Sequence, residues 1–97
     1  MSQTPAIYRF RLYVAGEGPN SLQARANLHA LCSEHLPDRH QIEIVDVVRE
    51  PRRALEDNVL LTPTLVKLSP EPVRKVIGNL SQTPAILQAF DLRPASQ

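Results

Sequence analysis

The chain has one cysteine, no tryptophan and only two lysines, Lys67 and Lys75, among its eleven basic residues. A lone thiol, Cys32, cannot form an intrachain disulfide and points to a reducing compartment. Four aromatic residues in 97 are too few for a base-stacking surface. With a net charge of +1, no strong field recruits nucleic acid or a membrane. No apolar run reaches the ~20 residues that a membrane-spanning helix needs, and the N-terminus carries no signal-peptide pattern. These absences predict a cytoplasmic protein. What is abundant is proline: nine residues, which cut the chain into short segments. The length predicts one domain over residues 1–97, with an ordered core over about 7–92.

Ile7 to Val14 alternates Tyr8, Phe10, Leu12 and Val14 with Ile7, Arg9, Arg11 and Tyr13, a strand with one more polar face. After the Gly16-Glu17-Gly18-Pro19 loop, Asn20 and Gln23 have capping-box spacing. A helix then runs to about His35, with Ala24, Leu28, Leu31 and Cys32 on one face and Pro37 as its stop. Gln41 to Val48 reads as a strand with apolar residues on both faces, Ile42 and Ile44 against Val45 and Val47, which predicts a central position. Pro51 opens a short helix to about Asn58. Thr62-Pro63-Thr64 stops it and starts the strand Thr64 to Leu68, because proline lacks an N–H and pushes its predecessor out of the helical region. An X-Pro bond is usually trans, but cis is open to it at modest cost. Ser69-Pro70-Glu71-Pro72 is a turn, and Val73 to Ile77 a strand that forms a hairpin with its predecessor. Ser81 or Thr83 caps a last helix over Pro84 to Leu92, buried by Ile86, Leu87 and Phe90. The resulting class is α/β, in the order β-α-β-α-β-β-α.

That order is thioredoxin-like, which raises redox chemistry first. The place where a Cys-x-x-Cys pair would meet a helix N-terminus reads Gly16 to Ser21 and holds no cysteine. Cys32 lies mid-helix on the apolar stripe, where a thiol is inert. His29, Cys32 and His35 share one helix, but spacings of three drift round it and show no tetrahedral set. Gly16-Glu17-Gly18 lacks the third glycine of a dinucleotide loop and the Gly-Lys of a P-loop. Glu56 and Asp57 read as a solvated helix end, and Asp46 as a strand-end carboxylate bonded to nearby backbone. No catalytic, cofactor or metal residue emerges. Lys67, Arg74 and Lys75 sit on the hairpin, as either a small basic patch or a charged edge that resists aggregation.

Leu12-Tyr13-Val14-Ala15-Gly16, Pro19-Asn20-Ser21, Val45-Asp46-Val47, Leu61-Thr62-Pro63-Thr64-Leu65, Pro72-Val73-Arg74-Lys75-Val76-Ile77-Gly78 and Leu80-Ser81 together resemble the KaiB family of bacterial clock proteins, from about Tyr8 to Leu92. The resemblance implies a non-enzymatic regulator, without cofactor, that binds the RecA-like ATPase KaiC. It implies a thioredoxin-like fold with an alternative ground-state fold of the second half, the latter in dimers or tetramers. It makes Thr62-Pro63 cis and turns Lys67, Arg74 and Lys75 into partner-binding residues. Clock members often have Gly where Ala89 stands and share Asp91; Ala favours a helix over Gly by about 1 kcal/mol. Ala89 therefore predicts a stronger lean to the thioredoxin-like fold, while Asp91 in a last helical turn works against it. Asn79 in place of Asp, Glu43 in place of Lys, and the absence of an acidic tail weigh against a KaiA role. A competing reading is a thioredoxin-like sensory module that docks on a clock histidine kinase, independent of KaiC.

Overall fold

The computed structural model describes residues 6–90 and 92. Its elements are β1 (Tyr8–Val14), α1 (Pro19–His35), β2 (His40–Asp46), α2 (Pro51–Glu56), β3 (Thr64–Ser69), β4 (Arg74–Ile77) and α3 (Thr83–Ala89). They form a four-stranded sheet in the order β2-β1-β3-β4. β1 runs parallel to β2, antiparallel to β3 across a register shift at Arg9/Phe10, and β3 pairs antiparallel with β4.

The alternation along β1 builds two cores. Phe10, Leu12 and Val14 face α1 and α3 and meet Leu28, Cys32, Leu65, Leu87 and Phe90 in the main one. The Phe10 and Phe90 rings lie 5.6 Å apart between centroids, inside the range in which aromatic pairs add to burial. Tyr13 faces the other way and packs with Val45, Val66 and Ala54 of α2. One side of the sheet thus carries two helices, and the other carries only the short α2.

The strand expected to be central is at an edge. Among the described residues β2 pairs only with β1, and β1 and β3 fill the middle. Parity along Gln41 to Val48 identified which residues are covered, but coverage comes from helices above and below, whereas centrality needs a second strand alongside. The expected capping box is also absent. Gly18 caps α1 with Pro19 in its first turn, the Gly18 carbonyl accepts from the Leu22 amide at 3.0 Å, and Gln23 donates to Asn27 instead. α2 ends at Glu56, ahead of the expected Asn58, which takes a left-handed φ of 56°. Gln82, with no side-chain cap bond, precedes α3, and neither Ser81 nor Thr83 acts as its cap. β3 runs one residue longer than expected and β4 starts one residue later. The α3 helix closes at Ala89, short of Leu92, so Ala89 is its last helical residue and not an interior one. Asp91 lies outside the described residues.

Candidate interaction surface

The hairpin residues separate by strand parity. Lys67 and Arg74 are cross-strand partners on the α1/α3 side, while Lys75 opposes Val66 on the α2 side. Lys67 is buried, at 2% exposure, with its Nζ 5.8 Å from the centroid of the Tyr8 ring. The guanidinium of Arg39 lies 5.9 Å from the same centroid, so the ring contacts two cations. Arg74 and Lys75 are exposed. Of the two readings open for the hairpin, a small basic patch or a charged edge, a single patch of all three does not form: Lys67 is part of the packed face, and the two accessible charges project to opposite sides of the hairpin.

Thr62-Pro63 is cis, and so are Ser69-Pro70 and Glu71-Pro72, which flank the hairpin turn. Pro63 is buried at the head of β3, where the Thr64 hydroxyl donates to the Leu61 carbonyl at 2.6 Å. Beside it the chain displays apolar surface. Leu60 is 90% exposed, and Val48, Leu55 and Leu61 are likewise open to solvent. A shallow cavity of about 370 Å³ between Val47, Pro51, Ala54, Leu55, Val59 and Leu60 adjoins them. Sequence reasoning passed over this region because periodicity assigns apolar residues to the core by default. The signal was the Val59-Leu60-Leu61 run in a segment too short to bury all three.

Behind that surface lies a polar network, equally unforeseen. The Tyr13 hydroxyl donates to the Asp57 carboxylate and lies 3.1 Å from the Arg53 carbonyl. Arg11 donates to Asp57 at 3.0 Å and to Glu43 at 2.8 Å, and Arg53 meets the other oxygen of Glu43 at 2.8 Å. Lys75 donates to the Asp57 main-chain carbonyl. Asp57 thus ties α2 to β1 and β4 and is not the solvated helix end expected. Burial pushes its carboxyl up, but hydrogen bonds from Tyr13 and Arg11 and the Arg11 charge outweigh that, leaving it below the usual carboxylate range. Burial and the Asp57 contact raise Tyr13 to about 12. The hydrogen bond from Arg11, chiefly, holds Glu43 low as well. A lysine at position 43 would face two arginines here, so the charge at this position is matched to its own neighbours.

Asp46 matches its expected role: Oδ1 accepts from the Val48 amide at 2.9 Å and the Gly16 amide at 3.2 Å, and these bonds hold its pKa low. Cys32 is fully buried, and desolvation raises its thiol to about 12. That is the opposite of the depression a reactive cysteine needs. His29 is exposed while Cys32 is inside, so the two do not share a ligand point.

The KaiB domain family matches residues 11–92, from the middle of β1 to past α3. The chain belongs to the KaiB family. It is 42% identical over 84 residues to the circadian clock protein KaiB3 of Synechocystis sp., covering 87% of this chain and 82% of that protein. It is 40% identical over 92 residues to the circadian clock oscillator protein KaiB of Cyanothece sp., covering 95% and 88%. Among solved structures, the N-terminal domain of Synechococcus elongatus SasA superposes with a TM-score of 0.72 at 17% identity, covering 94% of this chain and 90% of that one. Mitochondrial thioredoxin 3 from Saccharomyces cerevisiae gives a TM-score of 0.70 at 20% identity, covering 90% and 80%. At such identities the likeness carries the fold alone, and that fold is thioredoxin-like. Among the described residues, no helix is long and apolar enough to cross a membrane.

Proposed function

We propose that this KaiB-family chain is a cytoplasmic regulatory protein that binds a KaiC-type RecA-like ATPase ring and modulates its cycle, without catalysis of its own. The observation that carries the reading is the family match over residues 11–92, which takes in the whole β3–β4 hairpin. Arg74 and Lys75 supply accessible charge on the hairpin, and the apolar surface at Val48, Leu55, Leu60 and Leu61 supplies contact area beside it. Interfaces of this make-up draw affinity from a desolvated apolar centre and orientation from charges at the rim. Lys67 contributes by holding the hairpin against Tyr8 and not by touching the partner. The thioredoxin-like arrangement is the binding form, and an alternative, oligomeric packing of the second half is its reserve state. A KaiA role is not part of the proposal, because Glu43 is engaged by Arg11 and Arg53.

The test is co-sedimentation or gel filtration of the protein with an ATP-loaded KaiC-type ring. Retention of the wild type, and its loss in a double Arg74→Glu, Lys75→Glu variant, are expected. A protein that ignores the ring and binds a histidine kinase sensor domain instead would overturn it.

A further inference from the structure

Among the described residues, β4 is hydrogen-bonded on one side only, to β3. The Gly78 amide donates to the Pro63 carbonyl at 2.9 Å, which fixes the alternation of the antiparallel ladder. Gly78, Val76 and Arg74 bond inward, to Pro63, Leu65 and Lys67 in the observed register. Lys75 and Ile77 therefore direct their main-chain N–H and C=O groups outward. A groove of about 470 Å³ runs along this edge towards α3, with Val76, Leu80, Ile86 and Ala89 among its lining residues. Ile77 is 62% exposed and Val73 53%.

An edge strand is commonly guarded by a lysine standing over it. Here the Lys75 ammonium is turned onto the Asp57 carbonyl, so the main chain is left uncovered. Arg74, on the groove side, is exposed and forms no ion pair with a described residue. The site thus offers two outward main-chain positions and an apolar trough on the α3 side, with the Arg74 charge on the same face of β4, two residues from Val76.

We infer that the free edge of β4 takes an extended partner segment as a fifth strand, one whose groove-facing positions are apolar beside Val76 and Ala89 and acidic beside Arg74. Its main chain pairs with Lys75 and Ile77. Its apolar side chains enter the trough over Val76 and Ala89, and a carboxylate meets Arg74. This is strand addition, in which main-chain bonds give affinity and alternate side chains give selectivity. The inference rests on the reading that the hairpin faces the partner, and it specifies how a partner segment is held there.

The probe is a capped hexapeptide, Thr-Val-Thr-Val-Thr-Glu, whose alternate Val, Val and Glu share one face, titrated into the ¹⁵N-labelled full chain. Saturable shifts of the Lys75 and Ile77 amides, with slowed hydrogen exchange at both, are expected. Ile77→Pro removes one outward N–H without touching the β3 ladder, a position where an edge strand tolerates proline. It should weaken the peptide about tenfold, whereas Ile77→Thr should not. N-methylation of alternate peptide residues, which leaves the protein untouched, should abolish binding in the same way. Arg74→Glu should weaken the Glu peptide and favour its Lys counterpart. No saturable shift, shifts centred on β2, or equal affinity of the methylated peptide would overturn the inference. Because this probe involves no ATPase, failure of the ring to bind and failure of the edge to pair give separate results.

Discussion

Tyr13 at the end of β1 donates its hydroxyl hydrogen bond to Asp57, the residue that caps α2, joining positions 44 apart in sequence. Arg11 reaches the same carboxylate, so one acid satisfies two groups of the central strand. The bond holds α2, and with it the apolar surface at Leu55 and Leu60, against the sheet.

Its pH dependence follows from the direction of each shift. The Asp57 carboxyl is lower in the folded chain than its ordinary value, so its stabilisation is present above that value and is lost as pH falls through the folded one. Tyr13 is raised from 10.0 to about 12, so its contribution is complete below 10 and is lost as pH rises through about 12. Urea denaturation across pH should show a smaller acid loss for Asp57→Asn than for wild type. That variant should also be about 1 kcal/mol less stable at pH 7, the worth of one such hydrogen bond. Absorbance at 295 nm should lose its upper phenol transition in Tyr13→Phe.

Charge reversal should distinguish the two positively charged residues of the α1/α3 side of the hairpin. Lys67→Glu places a carboxylate on a buried face beside Tyr8 and Phe10, and should cost about 2–4 kcal/mol. Arg74→Glu, on the surface, should stay within about 0.5 kcal/mol. Denaturant midpoints read both; equal losses would mean that Lys67 is not part of the packed face.

Cys32 should be silent in the folded protein. With the thiol fully buried and raised to about 12, Ellman's reagent should label it only in denaturant. Insulin reduction should match a blank in wild type and Cys32→Ser alike, since a single buried thiol has no resolving partner. Turnover that depends on Cys32 would be incompatible with this environment.

Ala89 offers a test of the alternative packing proposed for the second half. It closes α3 and packs partly against the main core. Ala89→Gly costs the helix at most about 1 kcal/mol, less at a terminal position than inside. Two packings of one sequence can differ by only a few kcal/mol, so the variant should shift their ratio by up to about fivefold. Chemical shifts over Ile86 to Phe90 report it: helical values should dominate in wild type and weaken in the glycine variant.

Local rules carried much of this fold. Period-two alternation placed Phe10, Leu12 and Val14 on one face, and helical spacing placed Ala24, Leu28, Leu31 and Cys32 on another, because burial is a property of a residue and its near neighbours. Proline stops set the segment order for the same reason. The joint motifs around Thr62-Pro63-Thr64 and Pro72 to Gly78 were enough to indicate the family. Only the tertiary structure decided that β2 lies at an edge, since strand order depends on which chain comes alongside. It alone decided that Lys67 is buried while Arg74 is not, because a lysine stem can lie along apolar surface and end on an aromatic ring. The Arg11–Tyr13–Asp57–Glu43–Arg53 network has no sequence signature, as its members come from β1, β2, α2 and its C-cap. Nor could sequence reveal the open edge of β4, because a free N–H is defined by the absence of a neighbour, and that is settled only when the whole sheet has assembled.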